Sequence, residues 1–277
     1  MIENHLRQLF DLQNQTAVIT GGGGVLCSTM SQALAQAGAK VAVLDISLEA
    51  AQAVVDEIQH AGGEGVAVRC DVLDKASITD AARVILPRYE KIDILINGAG
   101  GNKKEATTTP DLSFFDLPPE AVQWVFNLNF LGALLPSQVF GRIMVEQDEG
   151  VILNISSMNA FQPLTRIPAY SGAKAAVSNF TQWLAVHMAQ EYSPDIRVNA
   201  LAPGFFLTEQ NRFLLTVPET GKLTPRGKTI IDNTPMSRFG APEDLLGAMF
   251  WLLSPASQFV TGIIVPVDGG FSAFSGV

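Results

Sequence analysis

Seven short, uninterrupted apolar runs recur along the chain: TAVIT at 16–20, KVAVLD at 40–45, GVAVRC at 65–70, IDILIN at 92–97, GVILNIS at 150–156, IRVNAL at 196–201 and GIIVPV at 262–267. Segments with apolar residues at helical spacing separate them, such as LEAAQAVVDEIQHAGG after the second run. Strands without a polar face belong in a parallel sheet covered on both sides by helices. The pattern predicts a single doubly wound, Rossmann-type α/β domain over residues 1–277, with a seven-stranded parallel sheet and helices on both faces. Ser47 is placed to cap the helix after the second strand, Gly62 and Gly63 to stop it, and Pro242 with Glu243 and Asp244 to open the last helix.

Residues 101–119 and 209–238 fit neither period, being rich in Thr, Pro and charge. Both follow predicted strands, which puts them at the carboxyl edge of the sheet, where doubly wound folds bind ligands. Two apolar stretches are long enough to consider as membrane spans, 121–141 and 245–267. The first carries Gln123, Asn127, Asn129 and Pro136 and the second is broken by SPASQ at 254–258, so both read as core elements. A net charge of −9 with no basic block argues against nucleic acid as a partner. Cys27 and Cys70 have neither metal-site nor disulfide spacing, and no leader-like segment opens the chain, so no metal and a reducing cytoplasm are expected.

The stretch TGGGGVLC at 20–27 joins the first strand to the first helix of the pattern. Such a turn brings backbone N–H groups and a helix start up to a pyrophosphate. Asp45 ends the next strand, where a carboxylate hydrogen-bonds both hydroxyls of an adenosine ribose. A 2′-phosphate at ~4 Å from that carboxylate would cost several kcal/mol at an effective dielectric of ~20, so NAD is expected over NADP.

YSGAK places Tyr170 and Lys174 one helical turn apart on the same face. To act as a base at neutral pH a tyrosine must lose roughly two to three units of pKa, which one cation at ~4 Å can supply. NISS ends the preceding strand and puts Ser157 thirteen residues before Tyr170. Together with TGGGG and Asp45, CDV at 70–72, NGAG at 97–100, NLNFLG at 127–132, PGFFLT at 203–208 and VDGG at 267–270, this order of motifs resembles the short-chain dehydrogenase/reductase family over nearly the whole chain.

The resemblance implies that Tyr170 is the general acid/base, that Lys174 holds the nicotinamide ribose and depresses the Tyr170 pKa, that Ser157 binds the reacting oxygen, and that Asn129 anchors a water relay to Lys174. The cofactor would lie on Gly21, Gly23, Gly24, Val25 and Leu26, with Asp71 and Val72 flanking the adenine. Asn97, Gly98 and Ala99 would support the central strand and ribose. Pro203, Gly204, Phe206 and Thr208 would complete the site, Thr208 reaching the nicotinamide carboxamide. A homotetramer built on the helices carrying Asn129 and Tyr170 is implied as well.

Three positions depart from the family pattern. Val25 and Cys27 stand where it has its second and third glycines, and Gly98 where it often has asparagine. Gly24 is expected to take over the close approach one position early. For the substrate, segment 209–238 carries Arg212, Lys222, Arg226, Lys228 and Arg238 against three acids, which favours a small anion. Asn159, Arg166 and Arg212 are the candidate groups for its hydroxyls and carboxylate. The GGGGVL turn and the long second loop resemble the sugar-acid branch that interconverts D-fructuronate and D-mannonate. A gluconate 5-dehydrogenase, a 3-oxoacyl thioester reductase and a catalytically silent dinucleotide sensor are the alternatives.

Overall fold

A computed structural model describes residues 2–207, 212, 215–217 and 220–276. After a short helix α1 (Ile2–Leu9), the chain alternates β1 (Thr16–Thr20), α2 (Val25–Gln36), β2 (Lys40–Asp45), α3 (Leu48–His60), β3 (Glu64–Arg69), α4 (Lys75–Tyr89) and β4 (Ile94–Asn97). It continues with α5 (Pro119–Gln147), β5 (Gly150–Ile155), α6 (Pro168–Glu191), β6 (Ile196–Pro203) and β7 (Ile264–Val267). Two shorter helices, Pro225–Asp232 and Leu246–Leu253, lie between β6 and β7.

The seven strands form one parallel sheet in the order β3-β2-β1-β4-β5-β6-β7. The inner strands are continuous apolar runs because both their faces are covered, whereas the edge strands β3 and β7 are partly exposed. Ala17 and Ile19 of β1 pack with Met30, Leu34, Val55 and Met249 on one face. Val18 turns to the other, with Ile78, Phe140, Phe180 and Met188. The expected ends hold: Ser47 Oγ accepts from Ala50 N at 3.2 Å, Gly62 takes φ +84°, and Pro242 opens a short turn whose Asp244 accepts from Ala241 N.

Helix α5 alone among the described helices is long and apolar enough to cross a membrane. Its buried residues Asn129, Ser137 and Phe140 pack into this domain instead. Strand order reverses between β1 and β4, whose last residues Thr20 and Asn97 are paired. That switch point opens a crevice at the carboxyl edge of the sheet.

Candidate active site

The turn after β1 is built around Asp45. Gly21 takes φ +62°. Gly22 donates to Leu44 O at 2.9 Å, continuing the ladder to β2. Gly23 N donates to Asp45 Oδ2 and Ser47 N to Oδ1, each at 3.0 Å. A Cβ on Gly22 would stand 2.6 Å from Val43 Cγ1, and one on Gly23 2.7 Å from Ala50 Cβ, so only glycine fits at either position.

Gly24 stands where the turn passes into the next helix. It is the extended N-cap of α2, and a Cβ there would meet only Gly21 O at 3.2 Å. The tight approaches fall on Gly22 and Gly23 because these two lie against β2 and α3. As at any helix start, the first amides of α2, from Val25 and Leu26 onward, lack intrahelical acceptors. A glycine cradle, a helix start and an oriented carboxylate fit the pyrophosphate and adenosine ribose of a dinucleotide.

Thr20 has a role the sequence reading did not assign: its Oγ1 accepts from Gly98 N at 3.2 Å and Ala99 N at 3.3 Å, tying the β4 loop to β1. Asn97 supports the central strand through its side chain. Its Nδ2 donates to Asn154 Oδ1 at 2.8 Å and Ser137 Oγ at 2.9 Å, and Asn154 in turn donates to Thr181 Oγ1 at 2.9 Å. This side chain bolts β4 to β5 and α5 inside the core. Asp71 and Val72 follow β3 beside the end of β2, where Cys70 N donates to Asp45 O at 2.8 Å. Asp71 Oδ1 accepts from Leu73 N, and Val72 is buried.

Ser157 follows β5 and caps a short turn, its Oγ accepting from Asn159 N at 3.3 Å and sharing a hydrogen bond with Tyr170. Tyr170 and Lys174 stand on successive turns of α6. The Tyr170 ring packs on Ala106, Ala121, Val125 and Ala169, so the first long loop contributes to its seat. Lys174 is buried; its Nζ donates to Ile155 O at 2.7 Å and lies 5.6 Å from the centre of the Tyr170 ring. Burial brings its pKa down to about 8. Burial also raises the Tyr170 pKa, with the Ser157 hydrogen bond pulling the other way. The expected depression by Lys174 is therefore not met in the chain itself: the ammonium is engaged by a carbonyl and sits over the ring, and desolvation of the phenolate dominates.

Asn129 is buried on α5. Its Oδ1 accepts from Gly101 N at 3.1 Å while Nδ2 donates to Gly101 O at 2.7 Å and Val125 O at 2.8 Å. A Cβ on Gly100 would lie 2.6 Å from Asn129 Oδ1 and 3.2 Å from Lys174 Nζ, so both side chains flank the same glycine.

On the substrate side, Asn159 is buried with its Oδ1 unpartnered among the described residues. Arg166 is exposed, and its carbonyl accepts from Thr108 N at 2.9 Å, joining the first loop to the segment after Ser157. The Arg212 side chain is exposed, while its carbonyl accepts from Thr216 N at 2.7 Å.

The second loop is less cationic than its composition implies. Lys228 pairs with Asp232 at 2.7 Å, and Arg238 makes a two-pronged contact with Asp244 at 2.5 and 2.9 Å. That contact holds the Asp244 pKa down at about 2. Pro203 and Gly204 end β6, Gly204 N donating to Val267 O at 3.0 Å. The Phe206 ring is buried against Gly240. Thr208 lies outside the described residues.

The sequence profile of the short chain dehydrogenases matches residues 15–216. The chain is 52% identical to the uncharacterized oxidoreductase UxuB of Bacillus subtilis, over 96% of this chain and 98% of that one. A solved structure from Haemophilus influenza, of a protein proposed to be a D-mannonate oxidoreductase and holding NAD, superposes with TM-score 0.90 at 50% identity, covering 96% of this chain and 98% of its own. A gluconate 5-dehydrogenase from Burkholderia cenocepacia, in complex with NADP and tartrate, superposes with TM-score 0.85 at 30% identity, over 98% and 100% of the two chains. With its fold, its motif order and these relatives in agreement, the chain belongs to the short-chain dehydrogenase/reductase family of nicotinamide-dependent oxidoreductases.

Proposed function

We propose that the protein is an NAD-dependent oxidoreductase interconverting a secondary hydroxyl and a ketone on a sugar acid, with D-mannonate and D-fructuronate as the pair. The observation that carries this reading is the convergence of Ser157, Tyr170 and Lys174 beside the Asp45 cradle. NAD, when bound, accepts or delivers the hydride. Ser157 Oγ and the Tyr170 hydroxyl hold the reacting oxygen, and Tyr170 gives it a proton in reduction or takes one in oxidation. Lys174 and Asn129, on either side of Gly100, hold the ribose and pass the proton outward.

Asp45 supports NAD, since both its oxygens are oriented by backbone amides toward the turn. The sugar acid is supported by Asn159 and Arg166 near Ser157, and by what the Haemophilus relative is proposed to do. A 5-ketogluconate reaction is the second reading, favoured by the likeness to the Burkholderia enzyme. The intact catalytic set favours turnover over a silent sensor. Rates with D-fructuronate, 5-ketogluconate, neutral ketoses and an acetoacetyl thioester, each with NADH and NADPH, test the reading. A neutral ketose or the thioester outrunning both acids would refute it.

A homotetramer is part of the proposal. Phe126, Phe130, Phe180, Trp183, His187 and Tyr192 form a continuous aromatic row along α5 and α6. It borders a groove of about 630 Å³, and Trp183 is 56% exposed, as suits a face covered by a second copy. Sedimentation of the purified protein checks the assembly.

A further inference from the structure

Two of the three departures from the family pattern, Cys27 and Gly98, meet in space. Gly98 follows β4 and Cys27 lies in the first turn of α2, so they face one another across the switch point between β1 and β4. A Cβ built on Gly98 would fall 2.2 Å from Cys27 Sγ but an ordinary 3.7 Å from Cys27 Cβ. Of the Cys27 side chain it is the sulfur that fills the place of a side chain at residue 98.

We infer that Cys27 and Gly98 are a coupled pair of positioning residues: the thiol takes over the volume of a residue-98 side chain and sets where the loop 97–101 stands in the cofactor cleft. The loop has little room to move. Gly98 N and Ala99 N are held by Thr20 Oγ1. A Cβ on Gly21 would press on Ala99 Cα at 2.7 Å, and Gly100 is flanked by Asn129 Oδ1 and Lys174 Nζ. Any group that pushes Gly98 away from α2 moves the loop against Lys174.

The thiol acts here by volume. Burial pushes its pKa up to about 12, so at neutral pH Cys27 is an uncharged group. A polar ligand is not needed to explain its place, and the close packing of helix on strand that the pattern's third glycine provides is achieved by removing the side chain from the opposite residue. A Cβ at residue 98 would also stand 2.8 Å from Thr20 O, a backbone atom, so removing the sulfur relieves the larger part of the crowding and not all of it.

This inference rests on reading the cleft as the NAD site, and a double-mutant cycle separates the two. NADH dissociation constants, from nicotinamide fluorescence, and melting temperatures are measured for the unaltered chain, Cys27→Ala, Gly98→Ala and the double variant. Gly98→Ala is expected to raise the NADH Kd and the KM for NAD about tenfold and to lower the melting temperature, with the KM for the sugar acid within about twofold. Adding Cys27→Ala should recover part of that loss, leaving the double variant at least about threefold tighter than Gly98→Ala. A double variant no tighter than Gly98→Ala, or one whose effects simply add, overturns the pair. Partial unfolding alone would reduce the fluorescence amplitude without moving the Kd. Failure of the unaltered chain to bind NADH would sink the cofactor reading and the pair's role in binding together. The melting cycle would still report whether the thiol and the residue-98 side chain exclude one another.

Discussion

The Gly23 amide donates to Asp45 Oδ2 at 3.0 Å, so the turn after β1 and the acid ending β2 form one unit. Asp45 is held in place before any ribose arrives, and a phosphate at the 2′ position would meet an oriented carboxylate. NAD should be preferred over NADP by a factor on the order of 10², the equivalent of about 3 kcal/mol. Asp45→Ala should weaken NAD and narrow that ratio. Comparable kcat/KM values for the two cofactors with the unaltered chain would count against the assignment.

In the proposed reaction Tyr170 carries the proton step. Tyr170→Phe keeps the ring on its seat of Ala106, Val125 and Ala169 and removes only the hydroxyl. Turnover should fall by roughly 10³ or more while NADH affinity stays within about threefold. Steady-state rates beside fluorescence titration decide this, and near-normal turnover would mean that another group moves the proton.

The inner strands were legible because they are apolar runs buried on both faces, a pattern that survives without knowledge of neighbours, and the edge strands β3 and β7 kept the apolar run though only partly covered. The pairing of Tyr170 with Lys174 was legible because the two sit one helical turn apart, a local relation. What could not be read is long-range. Nothing in the sequence says that Asp244 neutralises Arg238, or that Asn97 turns inward to Asn154. Nor does it say that the Cys27 sulfur stands where residue 98 would carry its Cβ. The long loops escaped because their order comes from tertiary contacts: Thr108 bonds the Arg166 carbonyl, and Ala106 packs by Tyr170.

Lys174 makes function and stability pull apart. Its pKa falls from 10.5 in the unfolded chain to about 8 in the folded one, because the ammonium is buried. Below pH 8 both states carry the proton, and the folded state bears the full cost of burial. Between about 8 and 10.5 the unfolded chain binds more protons, so this group's contribution makes stability rise with pH, by up to about 3 kcal/mol. Over the same interval the cation that holds the ribose is lost, so NAD affinity should weaken. Lys174→Met should be more stable than the unaltered chain at pH 7 and should lose both the alkaline gain and NADH binding. Melting curves and NADH titrations from pH 7 to 10 test both limbs. Equal alkaline slopes for the two proteins would contradict the buried charge.

The substrate carboxylate should discriminate between two arginines. Arg238 is already bound in two places by Asp244, so its guanidinium is occupied. Arg166 is exposed, and its backbone is anchored to the loop that seats Tyr170, on the segment that follows Ser157. Arg166→Ala should raise the KM for D-fructuronate about tenfold or more, leave the KM for NADH unchanged, and have little effect on a neutral ketose. Arg238→Ala should leave the KM for both acids within about twofold, while lowering the melting temperature slightly through loss of the exposed Asp244 contact. If Arg238→Ala weakened the sugar acid more than Arg166→Ala, the carboxylate would sit over the second loop instead, and the orientation of substrate across Ser157 and Tyr170 would have to be reversed.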